Sequence, residues 1–159
     1  MFLKNYFLKE KIKQNSYFIW NSQKKNIQTV KQFKPLELKL IIGVDNQKEI
    51  LLKNTINFAE DNFTNKALLW GARGNGKSSL IKSVFNKILI SYKNLKLIQL
   101  NKNDIFDIEY IYSVLVKFNH FRFIIFIDDL SFEKIDSDYK IIKSTLDGSI
   151  QNQPTNILL

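Results

Sequence analysis

Apolar residues recur along this chain at two spacings, and the alternation between them sets out the elements. Near the start, Phe2, Leu3, Tyr6, Phe7, Leu8 and Ile12 fall on one helical face between lysines. Pro35 and the apolar Leu36, Leu38, Leu40, Ile41 and Ile42 then lead to Gly43. A helix is predicted from Asn46, with Asn46 and Glu49 spaced as a capping box and Ile50, Leu51, Ile56, Ala59 and Phe63 as its buried stripe. Asn65 and Lys66 break it. The continuous apolar run 67–70, A-L-L-W, reads as a fully buried strand. From Lys77 the spacing is helical again, through Leu80, Ile81, Val84, Phe85, Ile88 and Leu89.

Later segments repeat the scheme. Residues 96–100 form a candidate strand and residues 107–118 a helix through Ile108, Ile111, Tyr112 and Leu115. Residues 123–127 give a strand that stops at two aspartates, residues 137–146 a helix ended near Gly148, and residues 156–159 the start of another strand after Pro154. Strands alternating with helices at this spacing predict an α/β fold, a parallel sheet with helices on both faces. The sequence shows no internal repeat and no low-complexity linker.

Composition narrows the chemistry. At 159 residues with 45% apolar, the chain supplies one domain's core. There is no Cys, which excludes a disulfide framework, a thiolate metal site and a thiol nucleophile. The single His, His120, excludes His-cluster zinc chemistry and reads as a turn residue rather than a base. Chemistry must therefore rest on Lys, Ser, Asp and backbone amides. Trp20 and Trp70 are read as core anchors.

Charge adds a division. Lys and Arg total 24 against 15 Asp and Glu, but 22 of the cations are Lys and only Arg73 and Arg122 are Arg. Two readings stand: drift toward A- and T-rich codons, or a surface for a polyanion. Residues 1–34 hold eight Lys and one Glu, so they form a basic N-terminal arm ahead of a nearly neutral core at residues 35–159. The arm's apolar face suits an anionic membrane surface or a partner groove, or else packing on its own domain with Lys in water. Lys or Asn interrupts every early apolar run, so no secretory leader is read, and the late run 123–127 is too short to span a bilayer. A cytoplasmic location without a membrane span is the expectation.

The strongest chemical signal is residues 71–78, G-A-R-G-N-G-K-S, which fit G-x-x-x-x-G-K-[ST] between a predicted strand and helix. Three of the chain's five glycines fall here. Gly71, Gly74 and Gly76 let the backbone curl so that successive N–H groups converge, and the helix that follows adds its positive end. That arrangement suits a triphosphate. Lys77 is placed to reach the β- and γ-phosphates and Ser78 to ligate Mg2+, while Ala72, Arg73, Asn75 and Ser79 complete the loop. The alternative is a glycine turn with Lys77 in solvent. Fifty residues after Ser78, the strand 123–127 ends on Asp128 and Asp129. A carboxylate at such a tip lies beside the loop, so Asp128 is the candidate to hold the Mg2+ water shell. Asp129 either orients or deprotonates the attacking water, or serves as a helix cap or surface acid.

With these motifs, residues 40–159 resemble the AAA+ family of P-loop ATPases, in which a Walker A loop, a Walker B strand and a later sensor strand act together. Ile42, Gly43 and Val44 look like that family's adenine-packing segment, and Leu146-Asp147-Gly148 like its L-D-G stretch. The strings L-L-W-G-A-R-G-N-G-K-S-S-L-I-K, D-D-L-S-F-E, T-L-D-G-S-I and the N-terminal F-I-W-N look like a bacterial family of ATP-binding proteins with no established role. The resemblance implies a P-loop NTPase, AAA+-like sheet, C-terminally incomplete, with strand order 5-1-4-3-2. Asp129 stands where many AAA+ enzymes carry Glu. The chain ends before the sensor, the arginine finger and the lid, which implies a truncated product or a fragment and an exposed apolar edge at residues 67–70.

The function so implied is ATP·Mg2+ binding, with Lys77 and Asp129 as catalytic residues, hydrolysis in the complete form driving a conformational change on a protein partner or in a homo-oligomer, and little turnover by this chain. A second reading is a nucleic-acid-associated switch resembling helicase loaders, with Phe2, Tyr6, Phe7, Tyr17, Phe18 and Trp20 of the arm beside its lysines. A P-loop kinase is disfavoured, because residues 79–159 hold one Arg. Glu133, Asp136 and Asp138 form an acidic cluster that suits a partner-facing loop or a solvated helix start.

Overall fold

The computed structural model describes residues 2–129 and 154–159. The helices are α1 (Phe2–Gln14), α2 (Asp45–Ala59), α3 (Lys77–Leu89) and α4 (Ile108–Leu115), and the strands are β1 (Tyr17–Asn21), β2 (Asn26–Thr29), β3 (Leu95–Asn101), β4 (Arg122–Asp128) and β5 (Ile157–Leu158). The predicted helix 137–146 and the Glu133, Asp136 and Asp138 cluster lie outside the described residues.

The five strands form one sheet in the order β2-β1-β3-β4-β5. β1, β3, β4 and β5 run parallel, and β2 pairs antiparallel with β1. β3 and β4 sit centrally because both are apolar on both faces: Ile98, Leu100, Phe123 and Ile125 join one core with Ile12 of α1 and Ile108, Ile111 and Leu115 of α4. Leu95, Leu97 and Phe126 point the other way, into a core with Phe58 of α2 and Leu80, Val84, Phe85 and Ile88 of α3. Among the described residues two helices therefore cover each face, as the alternation of spacings predicts.

Residues 1–34 differ from the rest in charge rather than in fold. Residues 2–29 supply a helix and a hairpin to the main sheet, with Ile12, Phe18, Trp20 and Ile27 buried in the shared core. The helical face is narrower than its sequence suggests: Leu8 and Ile12, one turn apart, pack inward, while Tyr6 and Phe7 are exposed. Trp20 is the core anchor expected, its indole N–H donating to Asp107 Oδ2 at 2.9 Å. The Lys25 ammonium on the other oxygen of Asp107, with the Trp20 bond adding to it against the cost of burial, holds that carboxyl below its ordinary range.

Three local expectations are corrected. The second helix begins at Asp45 behind Val44, which has no side-chain cap, so the Asn46–Glu49 box does not form. Ile50 and Phe63 are exposed, while Leu51, Ile56 and Ala59 of the predicted stripe pack inward together with Thr55 and Phe58. Residues 67–70 are extended but not a strand. Ala67 donates one bond to the Leu159 carbonyl at 3.2 Å, Leu69 packs inward, and Trp70 is 89% exposed rather than a core anchor. The reason is geometric: β5 is two residues long and pairs with β4, and among the described residues no strand flanks the segment on its other side.

Two buried polar groups secure the sheet. Asn156 donates to the carbonyl of Leu115 at 3.2 Å and faces those of Phe118 and Phe121, tying β5 to the end of α4 and the turns that follow it. Lys96 is 2% exposed, donates to the Asn15 carbonyl at 2.9 Å and lies over the Phe121 ring. Burial lowers its pKa to about 8 from 10.5. Between those values the unfolded chain holds a proton the folded one has released, so stability should rise with pH across that window. Burial also pushes Tyr17 and Tyr112 up to about 12 from 10.0. Above about pH 10 the unfolded chain loses protons that these tyrosines keep, and stability should fall again. Urea midpoints measured from pH 7 to 10 should climb for the native chain and stay flatter for Lys96→Met; parallel slopes would refute the assignment to Lys96.

Candidate functional site

The loop 71–76 leaves the extended segment 67–70 and turns into α3 at the C-terminal edge of the sheet. All six of its residues are exposed. Gly74 has φ +85° and Gly76 φ +75°, left-handed values that a side chain would strain. Gly76 is also the residue that caps α3, and it offers no side chain for the first-turn N–H groups. Those donors, with the positive end of the helix, are therefore open to an anion.

Lys77 folds back over the loop. Its ammonium donates to the carbonyls of Gly71, at 2.9 Å, and Ala72, at 2.7 Å, tying the end of the loop to its beginning. Ala72, Arg73 and Asn75 are exposed around this bend, and Ser78 and Ser79 sit half-buried in the first turn of α3.

The two sequence motifs meet at Ser78. Its hydroxyl donates to Asp128 Oδ1 at 2.6 Å, across 50 residues of chain. Asp128 is the last residue of β4, which enters beside β3 in parallel register, Asn101 opposite Asp128. The Gln99 amide lies 3.5 Å from the other carboxylate oxygen. Sequence reading missed Gln99; its signal is a single amide in the otherwise apolar run L-I-Q-L of β3. Asp129 turns away into solvent at φ +55°, and its N–H bonds Asp128 Oδ1 at 3.1 Å. Asp tolerates that left-handed region better than most residues.

Other expected members lie further off. Ile42, Gly43 and Val44 precede α2; Ile41 packs in the cluster that includes Leu80, but Ile42 is 87% exposed, and no hydrogen bond among the described residues joins the three to the loop. His120 lies in the turn before β4. Of the aromatics assigned to nucleic-acid contact, Phe18 and Trp20 are buried and unavailable for stacking. Among the described residues, no group of three or more His, Cys, Asp and Glu side chains could hold a metal, and no helix is long and apolar enough to cross a membrane.

A protein-family model described as a protein of unknown function, DUF815, matches residues 13–159. No curated protein and no solved structure matches the chain significantly.

Proposed function

We propose that this chain, which belongs to the DUF815 family, is an AAA+-like P-loop protein that binds ATP with Mg2+ in the loop 71–78. The observation that carries the reading is the 2.6 Å bond between Ser78 and Asp128, since it puts the two oxygen donors expected of a magnesium site side by side at the mouth of an uncapped helix. The residues present fit the ion and the nucleotide. Hydroxyl and carboxylate are hard donors, and Mg2+ is held by one or two such groups together with phosphate and water. Lys77 and the N–H groups at the start of α3 would meet the phosphates.

The order of elements lends further support: β3, β4 and β5 are neighbours in that order, and the segment that leads into the loop bonds Leu159 just past β5, so residues 67–70, β5, β4 and β3 would correspond to the family's first, fourth, third and second strands were that segment to join the sheet. Bound Mg2+ would supply charge neutralisation on the phosphates. Asp129, exposed beside Asp128, is the residue proposed to orient water in a complete, hydrolysing form that moves a partner surface.

The test is equilibrium binding of labelled ATP with and without Mg2+. Native protein should retain ATP more tightly with the ion, and Asp128→Asn should lose most of that difference while still binding metal-free ATP. No retention by the native chain under either condition would sink the reading.

A further inference from the structure

We propose that a cleft on the sheet, away from the glycine-rich loop, is a binding site for a small organic anion with an apolar body. Its floor is one face of β1 and β3, where Tyr17 stands opposite Leu97 and Ile19 opposite Gln99. One wall is the segment 30–35, whose Phe33 ring stacks on Tyr17 at 3.6 Å, and the other is α3, through Lys82. The volume is about 330 Å3, the size of a small-molecule site rather than of a macromolecular interface. No residue of the loop 71–78 lines it, and Gln99, which also lies beside Asp128, is not among the groups assigned to the ligand, so the inference does not rest on the ATP reading.

Charge and polarity together select the ligand. Lys34 and Lys82 line the cleft, and among the described residues no Asp or Glu does. Neither lysine has an ion pair or hydrogen bond among the described residues; Lys82 only overlies the Phe126 ring, 5.7 Å from its centroid. The floor is apolar, and Ile19 is 38% exposed although β1 is an interior strand of the sheet. A purely hydrophilic anion would leave Ile19 uncovered, and a neutral apolar molecule would gain nothing from the two ammonium groups. An apolar body on Ile19 and Val30 with a carboxylate, sulfonate or phosphate at the lysines uses both features.

The probe is anilinonaphthalene sulfonate, with N-phenylnaphthylamine as its counterpart lacking the sulfonate, each titrated by fluorescence into the full chain. The doubly substituted Lys34→Gln/Lys82→Gln protein should bind the sulfonate about thirtyfold more weakly, since two contacts with a unit charge are lost and each is worth about 1 kcal/mol in water. Its affinity for the neutral amine should not change. Ile19→Trp, which fills the floor, should abolish binding of both. Unchanged sulfonate affinity in the double variant would overturn the proposal, and so would retention of both probes by a folded Ile19→Trp, which would place them on the exposed Phe63 and Trp70 surface instead.

Discussion

Lys77→Ala is expected to weaken retention of labelled ATP·Mg2+ by about a hundredfold while leaving the melting temperature nearly unchanged. A hydrogen bond to a charged group contributes about 1.5–3 kcal/mol, and the lysine here would face more than one phosphate oxygen. Its present partners, the carbonyls of Gly71 and Ala72, are at the surface and can turn to water when the side chain is removed. Loss of binding with preserved stability is therefore the signature of a ligand contact. A lysine that merely closes the loop would give a small effect on both. Equal retention of ATP by the two proteins would end the assignment of this loop to phosphate.

The second large effect is expected at Arg122, one of two arginines in the chain. Its guanidinium donates to Asp61 Oδ1 at 2.7 Å and to the Thr155 carbonyl at 3.1 Å, and lies 4.3 Å from the centroid of the Phe58 ring. One side chain thus joins the end of α2, the start of β4 and the turn before β5. The Asp61 pair alone contributes little, because Asp61 is 76% exposed. The ring contact and the carbonyl bond matter more, since the arginine side chain is 11% exposed. Against them stands Nε, buried without a partner among the described residues. Arg122→Ala should cost about 2–3 kcal/mol in urea unfolding. Arg122→Lys should recover only part of it, as an ammonium cannot present two donors in a plane while stacked on a ring. A loss below about 0.5 kcal/mol, the range of ordinary surface substitutions, would show that the three-way contact does not hold these elements together.

Legibility of the fold varied with how local each determinant is. β3 and β4 are readable because strands covered on both faces are mostly apolar, Lys96 and Gln99 being interior exceptions in β3. The β1–β2 hairpin is hidden by its turn, which lacks the Asn-Gly or Asp-Gly signal and places Lys25 at φ +46°. The lysines around it then drew residues 1–34 toward an arm, although a lysine stem can lie along a sheet with its charge in water. Trp70 misled for the opposite reason. An apolar run states a preference for burial, but burial needs a neighbour on each side, and among the described residues the run 67–70 has one.

The candidate site divides in the same way. Spacing alone determined the bend at residues 71–78, since positive φ values, an uncapped helix start and the placement of Lys77 depend on a few adjacent residues. Sequence could also put an acid at the tip of a strand. Only the tertiary structure decided that Ser78 and Asp128 touch, that Gln99 flanks the same carboxylate, and that Ile19 faces an open cleft with Lys82 above it. Those relations depend on which strands become neighbours and in what register, and that is set by the packing of the whole sheet against four helices rather than by any stretch of chain read alone.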